Sequence, residues 1–139
     1  MKVLAALAAD RAKDNGDGSF DVGRGGITEI LTAGYPTLAT FTYLLRLELD
    51  EAEAEDLHRF RLDVSHRGQQ IGTPVSLPIA APGNREPGRP IYVNVIFHLQ
   101  FPVFADGEIL LAGWVNEDMA APLVKLYVKT LPILIARPG

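Results

Sequence analysis

Four groups of residues in this chain have types and spacing that could support chemistry: an Asp/Asn/Gly run, three histidines, a Ser-His pair and a dense acidic stretch. In Asp14-Asn15-Gly16-Asp17-Gly18, the residues Asn15, Asp17 and Gly18 fall at the third, fifth and sixth positions of a calcium loop. The first position is then Lys13 and the twelfth Arg24, where the ion needs a carboxylate and a bidentate Glu. Two cations there defeat the motif. A hairpin turn is expected instead, with a looser cation site of Asp14, Asp17 and Asp21 as the alternative. His58 and His66 share strand parity and lie eight residues apart. That is about 26 Å at ~3.3 Å per residue, too far to ligate one ion. Ser65 and His66 are adjacent and so point to opposite faces of a strand, which rules out a nucleophile–base pair there. No G-x-S-x-G elbow is present, and Gly23-Arg24-Gly25-Gly26 lacks the Lys-Ser/Thr that would make it a phosphate loop. The acidic stretch holds Glu48, Asp50, Glu51, Glu53, Glu55 and Asp56 with no base among them. It reads as a solvated loop, with docking of a basic partner as the rival reading.

The elements that position these residues read as strands. From Thr40 to Leu49 the odd positions Phe41, Tyr43, Leu45, Leu47 and Leu49 are apolar, and the even positions are polar except for Leu44. Period two of this kind means a half-buried strand. Leu57 to Arg67 alternates likewise, with Phe60, Leu62 and Val64 on one face. Ile91 to Phe101 does so again, with Val93, Val95, Phe97 and Leu99 inward and Asn94, His98 and Gln100 outward. Shorter strands are expected at Lys2–Ala9, Ser19–Val22, Ile27–Leu31, Glu108–Val115 and Leu123–Val128. Val75–Ala80 contains Pro78 and therefore belongs at a sheet edge. The seven residues Asp50–Asp56 are too few for an isolated helix and are expected to form a loop. Lys2 followed by Val3 to Ala9 has the outline of a short secretory leader. Its apolar stretch is at the bottom of the usual range of about 7–15 residues, so a first strand is the expected reading.

Composition narrows the function classes. The chain has 139 residues, room for one core, and is 47% apolar and 22% charged. Residues 1–70 carry twelve acids and eight bases; residues 71–139 carry five of each. Without a basic stripe the phosphate-neutralising term of nucleic-acid binding is missing. The absence of cysteine excludes disulfides, thiolate metal sites and thiol nucleophiles, and fits a reducing cytosol. No apolar run approaches the ~20 residues needed to span a bilayer.

Several stretches resemble an uncharacterised bacterial β-sandwich family, a domain of unknown function. They are Lys2-Val3-Leu4-Ala5 running to Ala9-Asp10-Arg11-Ala12, the Asp17-Gly18 turn, and Phe20-Asp21-Val22-Gly23. The strands Leu44–Glu48 and Arg89–Leu99, the Phe101-Pro102 corner and the Gly107 strand are similar too. The resemblance covers residues 1 to about 128 and implies a cytoplasmic β-sandwich with no recognised active site. The chain departs from the pattern in its apolar tail, Thr130-Leu131-Pro132-Ile133-Leu134-Ile135-Ala136.

The sequence therefore leads to an all-β, two-sheet antiparallel sandwich of about eight strands over residues 1–128. A tail, 129–139, packs as an edge strand or in an oligomer contact. The expected function is a non-enzymatic binding module acting through a sheet face or edge. A structural subunit of a homo-oligomer is the alternative, and an enzyme with a carboxylate/His site is the third reading. Trp114, Tyr127, Leu131, Ile133 and Ile135 are the expected interaction surface. The partner is a protein or a second copy, not nucleic acid or membrane. No metal or cofactor is expected, and the setting is cytoplasmic.

Overall fold

Strict alternation gives each strand one apolar face, and the chain buries those faces by stacking two sheets. The computed structural model describes residues 1–81 and 86–131. The first four strands are β1 (Lys2–Asp14), β2 (Phe20–Gly25), β3 (Glu29–Thr32) and β4 (Thr37–Leu49). A one-turn helix, α1 (Glu51–Glu55), leads into β5 (His58–His66), β6 (Gln69–Gln70) and β7 (Val75–Ile79). β8 (Ile91–Val103), β9 (Gly107–Val115), β10 (Met119–Ala120) and β11 (Val124–Thr130) complete the described residues. One sheet has the order β2-β1-β4-β8. The other runs β3-β11-β9-β5, with β6 and β7 beside β5 and β10 beside β9. All pairings are antiparallel except that of β3 with β11.

The core is the facing rows predicted by parity: Phe41, Tyr43, Leu45 and Leu47 of β4 against Phe60, Leu62, Ile109 and Leu111 of the other sheet. Tyr43 stacks on Phe60 at 5.8 Å, and Phe97 of β8 approaches Phe60 at 5.4 Å. Beneath that stack lies Gly113. A Cβ there would sit 2.8 Å from both Tyr43 Oη and Phe60 Cζ, so the inter-sheet spacing at this point requires glycine.

Several boundaries differ from the sequence reading. β1 runs on to Asp14, β8 to Val103 and β11 to Thr130, because cross-strand pairing carries polar residues along with it. The two-residue strands β6 and β10 have no periodic signal, so about eight strands become eleven among the described residues. The acidic stretch is not simply a loop. Asp50 accepts from the Glu53 N–H at 2.7 Å, and the Glu53 carboxylate accepts from the Asp50 N–H at 3.0 Å. This capping box holds one helical turn that propensity alone would not. Pro78 lies on β7 at the sheet edge, as its missing N–H requires.

Candidate functional site

The outer face of the four-stranded sheet is unusual in being partly covered. Leu44, the one apolar residue out of step in β4, is 0% exposed there, and its neighbour Thr42 is buried as well. The cover is the β1–β2 hairpin. β1 pairs with β4 only as far as Ala9, then leaves it and pairs with β2 from Ala9 to Asp14. The hairpin tip folds back onto the sheet. The Arg46 guanidinium donates to the Gly18 carbonyl at 2.7 Å and to Asn94 Oδ1 at 3.1 Å. It also lies 5.2 Å from the Phe20 ring centre and 4.6 Å from that of Tyr92, a cation held between two aromatic faces. The tip itself is the expected turn. Asp14 accepts from the Gly16 N–H and Asp17 from the Ser19 N–H, both at 2.9 Å, and Gly16 and Gly18 have φ of 81° and 90°. Ser19 also holds the Asp17 carboxyl below its ordinary range. These two carboxylates serve the turn.

β8 forms one edge of the same sheet. It pairs with β4 along its whole thirteen residues, and no strand among the described residues pairs with its other side. The inward side chains show the consequence. Phe41, Tyr43, Leu45 and Leu47 of interior β4 are 0–1% exposed, whereas the inward residues of β8 run from 1% at Val103 and 5% at Val95 to 7–8% at Val93, Phe97, Leu99 and Phe101. Two clefts of about 240 Å³ each open along the first half of β8. One lies between Val93–Ile96 and the β7 residues Leu77–Ile79, the other between Tyr92–Asn94 and the hairpin tip.

The sheet edges differ in how they are protected. Free edges template pairing with other chains, and proteins blunt them with charge, proline, bulges or brevity. β3 has four residues and carries Glu29; β7 has five and carries Pro78. β2 carries Asp21, Arg24 and two glycines, and β1 has a register shift between Val3 and Ala5. β8 has none of these over most of its length. Its thirteen residues include no Asp, Glu, Lys or Arg, and its one proline is Pro102, next to the end. At ~3.3 Å per residue this is an edge of about 43 Å.

The histidines are separated, as parity requires. His58 is buried at the start of β5, where Nε2 donates to the Glu53 carbonyl at 2.5 Å and Nδ1 accepts from Asn116 Nδ2 at 2.8 Å. His66 lies at the other end of β5, and its Nε2 is buried without a partner among the described residues. Burial, with Arg67 adding its charge, holds its imidazole below the usual range. His98 is on the outer face of β8, with Nδ1 3.1 Å from Thr42 Oγ1. Among the described residues no group of three or more His, Cys, Asp or Glu is placed to hold a metal. A cleft of about 440 Å³ opens beside the acidic turn, lined by Glu48, Asp50, Glu51, Glu53 and Arg89 among others. Three of its carboxylates are engaged: Glu51 accepts from the Gly88 N–H at 2.8 Å, Asp50 and Glu53 close the capping box, and Glu53 also pairs with the Met1 ammonium.

Of the residues expected to form an interaction surface, Trp114, Tyr127 and Leu131 are among the described residues, and Trp114 lies apart from the other two. Tyr127 is exposed on β11, where it pairs with Glu29 of β3 and Glu108 of β9. Trp114 is six residues further along β9, about 20 Å at ~3.3 Å per residue, half-buried with the Arg61 guanidinium 5.8 Å from its ring centre. Leu131 is exposed beyond β11, its N–H donating to the Thr32 carbonyl at 2.8 Å. Ile133 and Ile135 lie outside the described residues. β11 is not an edge strand, since β3 flanks it, and its end is clamped. Asp106 accepts from the Tyr35 hydroxyl, from the Thr130 hydroxyl at 2.7 Å and from the Thr130 N–H at 3.1 Å. Those donors, Tyr35 first, hold the Asp106 carboxyl below its ordinary range.

The unprotected edge was missed by sequence reasoning, which identified the β8 segment as a strand but looked to the tail for an interface. The signal was present as thirteen alternating residues without one formal charge. Among known proteins, no family model and no curated sequence matches this chain.

Proposed function

We propose that this protein is a non-enzymatic binding module that works by strand addition at the edge of β8, which no other strand among the described residues pairs. The observation that carries this reading is the contrast between β8, long and uncharged, and the other sheet edges, each blunted by charge, proline, bulge or brevity. Main-chain N–H and C=O groups along such an edge supply affinity, and the side-chain clefts beside it supply selectivity. The two clefts at Tyr92–Ile96 border this edge, where they can take side chains at the end of an added strand. The absence of cysteine and the resemblance to a bacterial sandwich family support a cytoplasmic setting.

The test uses fluorescein-labelled ten-residue peptides of alternating Val and Thr, followed by polarisation against dilute protein. The Gln100→Lys variant, which charges the edge at an exposed position, is the control. Binding to the unmodified chain at least tenfold tighter than to the variant is expected. Equal binding to both, or no binding alongside a monomeric solution mass at all concentrations, would overturn the proposal.

A further inference from the structure

Resting on that reading, we infer that the strand added to β8 is β8 of a second copy, the two pairing antiparallel about a two-fold axis near Leu99. Three observations select this occupant. The strand has no formal charge, so identical copies meet without like-charge repulsion, which would penalise self-pairing of an ordinary charged edge. Parity is preserved under the two-fold. Phe97 falls opposite the partner's Phe101 on the inner face, and His98 opposite the partner's Gln100 on the outer face. Phe97, Leu99 and Phe101, 7–8% exposed, are then brought against the same three side chains of the second copy. Third, closure favours a second copy over a foreign strand. A foreign strand would carry a new free edge of its own, whereas an isologous pair covers the second half of both β8 edges at once.

The pairing centres on Phe97–Phe101, since Pro102 beyond them has no N–H to give. The clefts at Tyr92–Ile96 place β7 and the hairpin tip beside the first half, and those segments flank the new interface. The product is a continuous eight-stranded sheet with the order β2-β1-β4-β8 followed by the same strands in reverse.

The chain has no cysteine, so single cysteines can be introduced at His98 or Gln100, with Lys125 on the outer face of the other sheet as control. The full chain is expected to sediment at twice its 15.1 kDa at tens of micromolar. Cysteines at 98 and 100 are expected to be joined by a short bismaleimide while one at 125 is not. Gln100→Lys, at an exposed position, is expected to weaken association at least tenfold with an unchanged circular dichroism spectrum. Three results overturn the inference: a monomeric chain, a dimer cross-linked only at 125, or a dimer indifferent to Gln100→Lys but lost on removal of residues 132–139. A monomer that binds the Val/Thr peptides overturns self-pairing and leaves the edge-binding reading standing. A monomer that binds none overturns both.

Discussion

Replacing Gly113 with alanine tests how closely the two sheets are held. The new methyl would lie 2.8 Å from Tyr43 Oη, 2.8 Å from Phe60 Cζ and 2.9 Å from Phe60 Cε2. None of these atoms is the end of a flexible chain, and the two rings are stacked at 5.8 Å with 17° between their planes. Overpacking of this kind costs about 1–3 kcal/mol. Removing a glycine from a strand interior returns about 0.5–1 kcal/mol. The net expectation is a loss of about 1–2 kcal/mol, a fall in Tm of roughly 3–5 °C per kcal/mol for a domain of this size. Urea unfolding followed by the fluorescence of Trp114, the single tryptophan, reads it directly. Tyr43→Phe deletes one of the two contacts at 2.8 Å. It also removes a buried hydroxyl that has no partner among the described residues, and whose burial raises its pKa. Alone it is expected to be neutral or stabilising, and in its background Gly113→Ala should cost about 1 kcal/mol less. A Gly113→Ala protein as stable as the parent, or a double-mutant cycle with no coupling, would show that the sheets yield and that the spacing is not set here.

Three further outcomes follow from the same packing. Arg46→Ala removes the cation between Phe20 and Tyr92 and the bond to Gly18, so cleavage by a protease within Asp14–Ser19 should be roughly tenfold faster, for a local loss of ~1.4 kcal/mol. Unchanged cleavage would mean that the hairpin is held from elsewhere. The folded His66 pKa is depressed below 6.5, so protonation favours the unfolded chain. Stability is then full above the unfolded value and is lost as pH falls through it, the loss being complete below the folded pKa. Chemical denaturation of His66→Gln should show a flatter dependence from pH 7 to 5 than the parent, and a parallel curve would refute the assignment. Asn116 binds His58 through Nδ2, accepts the Arg59 N–H at 3.0 Å and sits at φ 53°. Asn116→Ala is expected to cost about 2 kcal/mol, and Asn116→Gly, which relieves the backbone, less. Equal losses would mean that backbone conformation contributes nothing.

Much of the fold was legible because side-chain parity is a local property. A residue's place in an alternating run fixes which face it shares, so the inward rows of β4, β5 and β8 and the separation of His58 from His66 could be read in advance. Sequence patterning had no means of finding the capping box by periodicity, since Asp50 and Glu53 act through backbone bonds rather than burial. It likewise gave no reason for the burial of Leu44 on the outer face, where the hairpin tip folds back onto neighbouring Arg46 from twenty-eight residues away in the chain.

The all-β class, the faces of the long strands and the uncharged character of residues 91–103 were determined by the sequence alone, through period-two alternation and composition. Tertiary structure decided which strands are neighbours and therefore which are edges. It placed β3 parallel to β11, and it left β8 on the outside of its sheet among the described residues. Alternation specifies the face a side chain occupies. Lateral order depends on long-range pairing and on the loops that permit it, and it is that order which turned an ordinary apolar strand into a candidate interface.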